Sequence, residues 1–182
     1  MNIPNTITVL RIMVVPVLVY LLLHGEYRTA IWVLLGASLS DGLDGFIARR
    51  FNLCTELGAV LDPLADKILI IASVLALARA RLLPWWLAVV IAGRDLIIIG
   101  GATAYYRRAG QIKMNPSIPS KLNTFVQVCM VFLVLGTAAG MVNASGWLPV
   151  LFGCTLFTTV FSGVHYIVVW GRKAFNESTN CE

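Results

Sequence analysis

Charge is scarce in this sequence. Only 13% of its 182 residues are charged, and 58% are hydrophobic. A soluble domain carries about 25% charged residues, so this composition does not fit one. Cysteine is sparse and unpatterned. Cys54, Cys129, Cys154 and Cys181 form no CxxC pair and no pattern with histidine. That removes a disulfide framework or a zinc module and leaves small apolar fillers. No basic run is interleaved with aromatics, so the net charge of +5 does not point to nucleic acid. It suits basic loops against an anionic leaflet. There is no internal repeat and no low-complexity segment. The start lacks the basic region of a cleavable signal and the Arg-rich, Ser-rich character of a transit peptide.

What remains is long apolar runs. A membrane-spanning helix takes about 20 apolar residues, so six short-looped spans use most of the chain as one domain, 1–182. The expected class is all-α: a polytopic membrane protein with six transmembrane helices behind a short N-terminal amphipathic helix. That lead-in covers Asn2 to Arg11, with a break at Pro4 and Asn5. The spans run roughly 12–23, 30–49, 57–79, 85–106, 120–141 and 147–170, with a polar tail over about 172–182. Arg49, Arg50, Arg107, Arg108, Lys113, Lys121, Arg172 and Lys173 gather at one set of ends, which places both termini inside. Trp85, Trp86, Trp147 and Trp170 fall at span ends, the position of an aromatic belt.

Against this background, Asp41, Asp44, Asp62 and Asp66 are out of place. An unpartnered carboxylate is costly in hydrocarbon, and four together repel one another. Asp41 and Asp44 are three apart; Asp62 and Asp66 are four apart. On helices each pair shares a face, so two consecutive spans aim four carboxylates at one point. Hard oxygen donors suit Mg²⁺ or Mn²⁺, and four of them suffice for two ions of the kind that serve phosphoryl chemistry. Gly42, Gly45 and Gly58 permit close approach. Arg49, one turn past Gly45, has the fork to hold a phosphate beside the metals. A single Asp-Gly pair marks a turn, and a purely structural reading pairs the acids with Arg49, Arg50 and Lys67. Four acids at helical spacing on two spans favour function.

These residues form the pattern D-x2-D-G-x2-A-R-x8-G-x3-D-x3-D, through Asp41, Asp44, Gly45, Ala48, Arg49, Gly58, Asp62 and Asp66. The pattern resembles the signature of the CDP-alcohol phosphotransferases with every spacing intact. The resemblance implies six spans, usually a homodimer, and an active site at the cytoplasmic surface. It implies transfer of a substituted phosphate from a CDP-linked donor to an alcohol, with release of CMP. It assigns metal binding to Asp41, Asp44, Asp62 and Asp66, and the general-base role to Asp66. Gly45, Arg49 and Gly58 then line the nucleotide site, with Asn5 and Thr55 approaching it.

The donor implied is CDP-diacylglycerol. Arg94 and Lys121 are cationic and intramembrane, so they are candidates for an acceptor-phosphate pocket, with Asn123 beside them. Adjacent positions on a helix point apart, which argues against an Arg94–Asp95 pair. Family members that use glycerol 3-phosphate typically show G-K-x-K-T where this chain has Ser120-Lys121-Leu122-Asn123-Thr124, and R-E where it has Arg94-Asp95. Asn123 in place of the second lysine resembles the members that use phosphatidylglycerol and make cardiolipin. A phosphodiester carries less charge than a phosphomonoester, so one cation fewer is reasonable. Glycerol 3-phosphate is the alternative acceptor. A small cation transporter is the remote one, disfavoured because the acids cluster at one face. The setting expected is a bacterial inner membrane rather than a mitochondrial one, with the site on the cytoplasmic side. His165 is expected to pack or to face the acceptor lipid. Gly136 and Gly140 form a GxxxG suited to helix packing or a dimer.

Overall fold

The computed structural model describes residues 3–50, 56–109 and 118–179, with side chains described over 11–40, 64–101, 119–166 and at 168. Every element among them is a helix: α1 (Ile3–Leu23), α2 (Tyr27–Arg50), α3 (Glu56–Arg79), α4 (Trp85–Ala109), α5 (Ile118–Ala138) and α6 (Leu148–Thr179). The shortest have 21 residues, about 31 Å of helix, enough to cross a hydrocarbon core of about 30 Å. By hydropathy as well as length, two stretches qualify as spans, Pro119–Ala138 and Leu148–Tyr166; Arg11–Leu23 is apolar but shorter. The all-α class is thus met with six helices, and two of them qualify as spans by composition. The difference arises partly because Arg94 and Asp95 interrupt α4, and partly because long stretches of α2 and α3 fall outside the described side chains.

Two boundaries differ from expectation. The lead-in is not a separate helix, because α1 runs unbroken from Ile3. Pro4 sits in its first turn, where a missing amide costs nothing. At the other end α6 continues to Thr179, through Gly171 and most of the polar tail. Pro63 lies inside α3.

Three tight turns follow one plan. After α1, Gly25 has φ +79°, its amide bonds the Leu22 carbonyl, and the Glu26 amide bonds Leu21 at 3.0 Å. After α5, Gly140 has φ +68°; its amide bonds Thr137, and that of Met141 bonds Gly136 at 2.9 Å. These are Schellman caps. Gly140 is therefore a helix stop, and Val142 folds back over Gly136 at ordinary contact distance. The third cap, after α3, has the same bonds but places Arg81 at φ +60°. A side chain in that region costs about 1–2 kcal/mol. Arg81→Gly is expected to raise stability by about 1 kcal/mol. Denaturant unfolding in detergent checks this, and an unchanged midpoint refutes it.

The chain divides into two compact units: Met1–Ala88 with Val131–Gly146, and Val89–Met130 with Trp147–Glu182. In the first, α1 packs against both α2 and α3. Its buried side chains are mostly aliphatic, among them Leu18, Leu22, Leu34, Leu69, Leu77 and Leu87. Arg28 joins two of its turns, its Nε donating to the Ala139 carbonyl at the end of α5, where a cation meets the helix dipole favourably. The second unit is unlike it. Among its described buried residues only Ile91 and Met130 are apolar, while Arg94, Asp95, Asn123, Gln127, Thr155, Thr159 and Ser162 are polar. Outside, large apolar side chains stand exposed, including Met13, Trp32, Leu39, Phe125, Phe157 and Phe161. Large exposed apolar side chains in this number, found in each unit, are what a lipid-facing surface carries.

Candidate active site

The acids are carried by helices of the first unit. α2 is continuous through Asp41, Asp44, Gly45 and Arg49, and α3 through Gly58, Asp62 and Asp66. Unbroken helix is what the spacing argument required, since residues three and four apart share a face only there. Asn5 lies in the first turn of α1. The side chains of Asn5, Asp41, Asp44, Gly45, Arg49, Gly58 and Asp62, and the whole of Thr55, lie outside the described residues.

Asp66 is the acid of the pattern whose side chain is described. Its Oδ1 accepts a charge-assisted hydrogen bond from Nη1 of Arg11. The carboxylate is accessible, with 44% of its side chain exposed, whereas Arg11 is buried at 4%. Arg11 was missed by sequence reasoning. A signal was present: Arg11, Leu18 and Leu22 fall at i, i+7 and i+11, so an arginine occupies the packing stripe of α1.

Among the described residues no group of three or more His, Cys, Asp or Glu is gathered. The donor chemistry nevertheless fits hard divalent cations. It offers four carboxylates on two continuous helices, both packed by α1.

The acceptor candidates belong to the second unit. Arg94 is not splayed away from Asp95: its Nη1 donates to Asp95 Oδ1 at 2.5 Å, and both are buried, at 6% and 1%. The expectation of divergence held for the Cα–Cβ directions but ignored the length of arginine, whose guanidinium folds back along its own helix. Nη2 of Arg94 donates to Ser162 Oγ at 2.5 Å and to Ser120 Oγ at 3.0 Å, so one guanidinium ties α4 to α5 and α6. Gly163 leaves room for its stem. Asn123 is wholly buried and accepts from Thr159 Oγ1 at 3.0 Å. Lys121, two residues earlier, is exposed on the opposite side of α5. Arg94 and Asn123 thus line one polar seam between α4, α5 and α6, and Lys121 does not join them. Arg94 Nε, Asn123 Nδ2, both polar atoms of Gln127 and His165 Nδ1 are buried without a hydrogen-bond partner among the described residues. Native proteins leave few such atoms, so these, mostly N–H donors, are where a group beyond the described side chains can bond.

The family model described as CDP-alcohol phosphatidyltransferase matches residues 1–163. A cardiolipin synthase (CMP-forming) of Rattus norvegicus is 36% identical over 190 residues, covering 94% of this chain and 62% of the relative. Its Homo sapiens counterpart gives the same identity and coverage. A probable phosphatidylglycerophosphate synthase of Mycobacterium tuberculosis is 33% identical over 172 residues, covering 91% of this chain and 80% of the relative. The chain therefore spans about three fifths of the length of the cardiolipin synthases it matches.

Proposed function

The chain belongs to the CDP-alcohol phosphatidyltransferase family, and from that premise we propose that it transfers a phosphatidyl group from CDP-diacylglycerol to the hydroxyl of phosphatidylglycerol, giving cardiolipin and CMP. The new bond joins the acceptor oxygen to phosphorus, and the bond to CMP breaks. Family membership displaces the transporter reading. The observation that carries the acceptor assignment is Asn123, buried on Thr159 at the position where glycerol 3-phosphate users typically place a second lysine. The cardiolipin synthase relatives support it. The phosphatidylglycerophosphate synthase relative, matched over more of its length, keeps glycerol 3-phosphate as the second reading.

In this proposal Asp66 takes the proton of the acceptor hydroxyl as it attacks, a task for which its exposed carboxylate is suited. Gly45 and Gly58 admit the nucleotide, with Asn5 and Thr55 at its edge. Arg49 holds a phosphate by its planar fork. Asp41, Asp44, Asp62 and Asp66 would hold two divalent ions, Mg²⁺ or Mn²⁺, which when bound supply neutralisation of the phosphates and the leaving CMP. Arg94 offers its buried Nε to an acceptor phosphate oxygen. Lys121, being exposed, would meet the acceptor from outside the seam or serve the leaflet surface. Six spans, one domain over 1–182, a homodimer and a bacterial inner membrane with the site on the cytoplasmic side complete the proposal. The exposed apolar side chains are the surface lipid would cover.

The test is CMP release by purified protein from CDP-diacylglycerol with Mn²⁺ or Mg²⁺, offering phosphatidylglycerol or glycerol 3-phosphate. CMP and cardiolipin with the first alone establish the reading. CMP with the second alone keeps the chemistry and overturns the acceptor. A substitution sharpens this. Asn123→Lys puts an ammonium into a buried seam that already holds Arg94, and it gains most from an acceptor bearing two negative charges. The ratio of kcat/KM values should move about tenfold towards glycerol 3-phosphate. An unchanged ratio removes Asn123 from acceptor choice.

A further inference from the structure

The geometry points to Arg11 as the positioning residue of the acidic centre: its guanidinium sets the orientation of Asp66 and thereby the affinity of the carboxylates for divalent metal. The inference rests on the two-metal reading above. Three observations carry it. Arg11 lies on the stripe of α1 that packs inward with Leu18 and Leu22, where a leucine would give the same burial with no charge to desolvate. It reaches across 55 residues of sequence to bond an acid of the pattern. The burial is one-sided, since the guanidinium is enclosed while the carboxylate keeps 44% of its side chain accessible. A buried ion pair that served packing alone would enclose both partners. Here the enclosed member is the rigid fork, and the member left accessible is the one with metal chemistry.

The consequence is geometric. With Oδ1 on Arg11, rotation of the Asp66 carboxylate about its χ angles is restricted. Fixed outer partners of metal-binding carboxylates typically contribute about 10–100-fold in metal affinity. Electrostatics alone predicts the reverse sign, because removing a nearby cation should tighten cation binding. The sign of the change therefore separates orientation from simple charge balance.

The experiment titrates Mn²⁺ into the purified full-length protein in nanodiscs and reads free Mn²⁺ by electron paramagnetic resonance, so no turnover is involved. Arg11→Gln is expected to raise the Mn²⁺ Kd about tenfold or more. On an Asp66→Asn background the same change should add no more than about twofold, because the two residues act as one unit. Arg11→Lys keeps the charge and loses the fork. It is expected to raise Kd about threefold, and it carries the test if Arg11→Gln does not fold. A lower melting temperature with unchanged Kd in these variants, or tighter Mn²⁺ binding, overturns the assignment and leaves Arg11 as a packing counter-ion. Additive effects in the double variant overturn it too. If the wild-type chain binds no Mn²⁺, the metal reading itself falls, and the inference with it.

Discussion

Asp66→Asn is expected to lower CMP release by about three orders of magnitude. Loss of a general base alone costs about 10²–10⁴-fold. Asparagine matches aspartate in size, so the helical register of α3 and the packing of Leu69 and Leu77 behind it should persist. Two properties go. The amide cannot take a proton from the acceptor hydroxyl, and its single carbonyl oxygen is already claimed by Arg11, so a donor to metal is lost as well. The bond from the buried guanidinium of Arg11 also loses its charge on the acceptor side. A stability decrease of about 1–3 kcal/mol should accompany the catalytic loss. The two effects are separated by measuring single-turnover CMP release at a temperature where circular dichroism shows the variant fully helical. Near-normal turnover there removes Asp66 as the base. A large stability loss with intact turnover makes it a structural partner of Arg11.

How much of this was legible beforehand depends on whether the deciding contact is local. The breaks between spans were, because Gly25 and Pro84 punctuate apolar runs and each restricts or frees the backbone in its own neighbourhood. The cap at Arg81 was not, because nothing in an arginine announces a positive φ; the bonds back to Leu77 and Ala78 impose it. The acid pairs were legible from spacing alone, since three and four residues define a helix face. Arg11 was legible as an oddity but not as a partner of Asp66. The rotational setting of α1 against α3 decides which acid it meets, and no local pattern encodes that angle. The Arg94–Asp95 pair shows the opposite failure. Neighbouring Cβ atoms on a helix do diverge, but the arginine side chain is long enough to fold back to Asp95. Lys121 and Asn123, two residues apart on α5, were grouped by their place in a motif, yet a step of two residues on a helix turns about 200° and sends them to opposite environments.

That seam supplies the second large effect. Arg94→Leu is expected to destabilise the protein by about 3–5 kcal/mol, since it leaves the Asp95 carboxylate buried and stripped of its guanidinium. The hydroxyls of Ser120 and Ser162 lose their donor in the same stroke. Arg94→Leu/Asp95→Leu removes both charges, and replacing a buried pair by apolar side chains of similar volume is often neutral or stabilising. Most of the lost stability should therefore return in the double variant, as read by denaturant unfolding in detergent. Function should not return with it. If the arginine were present only to hold three helices together, the restored double variant would turn over phosphatidylglycerol normally. If Arg94 also offers Nε to the acceptor phosphate, the double variant should be folded and still show a KM for phosphatidylglycerol raised about tenfold or more, with the KM for CDP-diacylglycerol little changed. A single variant as stable as the wild type would mean that Asp95 is not held charged in a buried seam. A double variant that is both stable and fully active would reduce Arg94 to a clamp, and the acceptor phosphate would then have to be sought at the exposed Lys121.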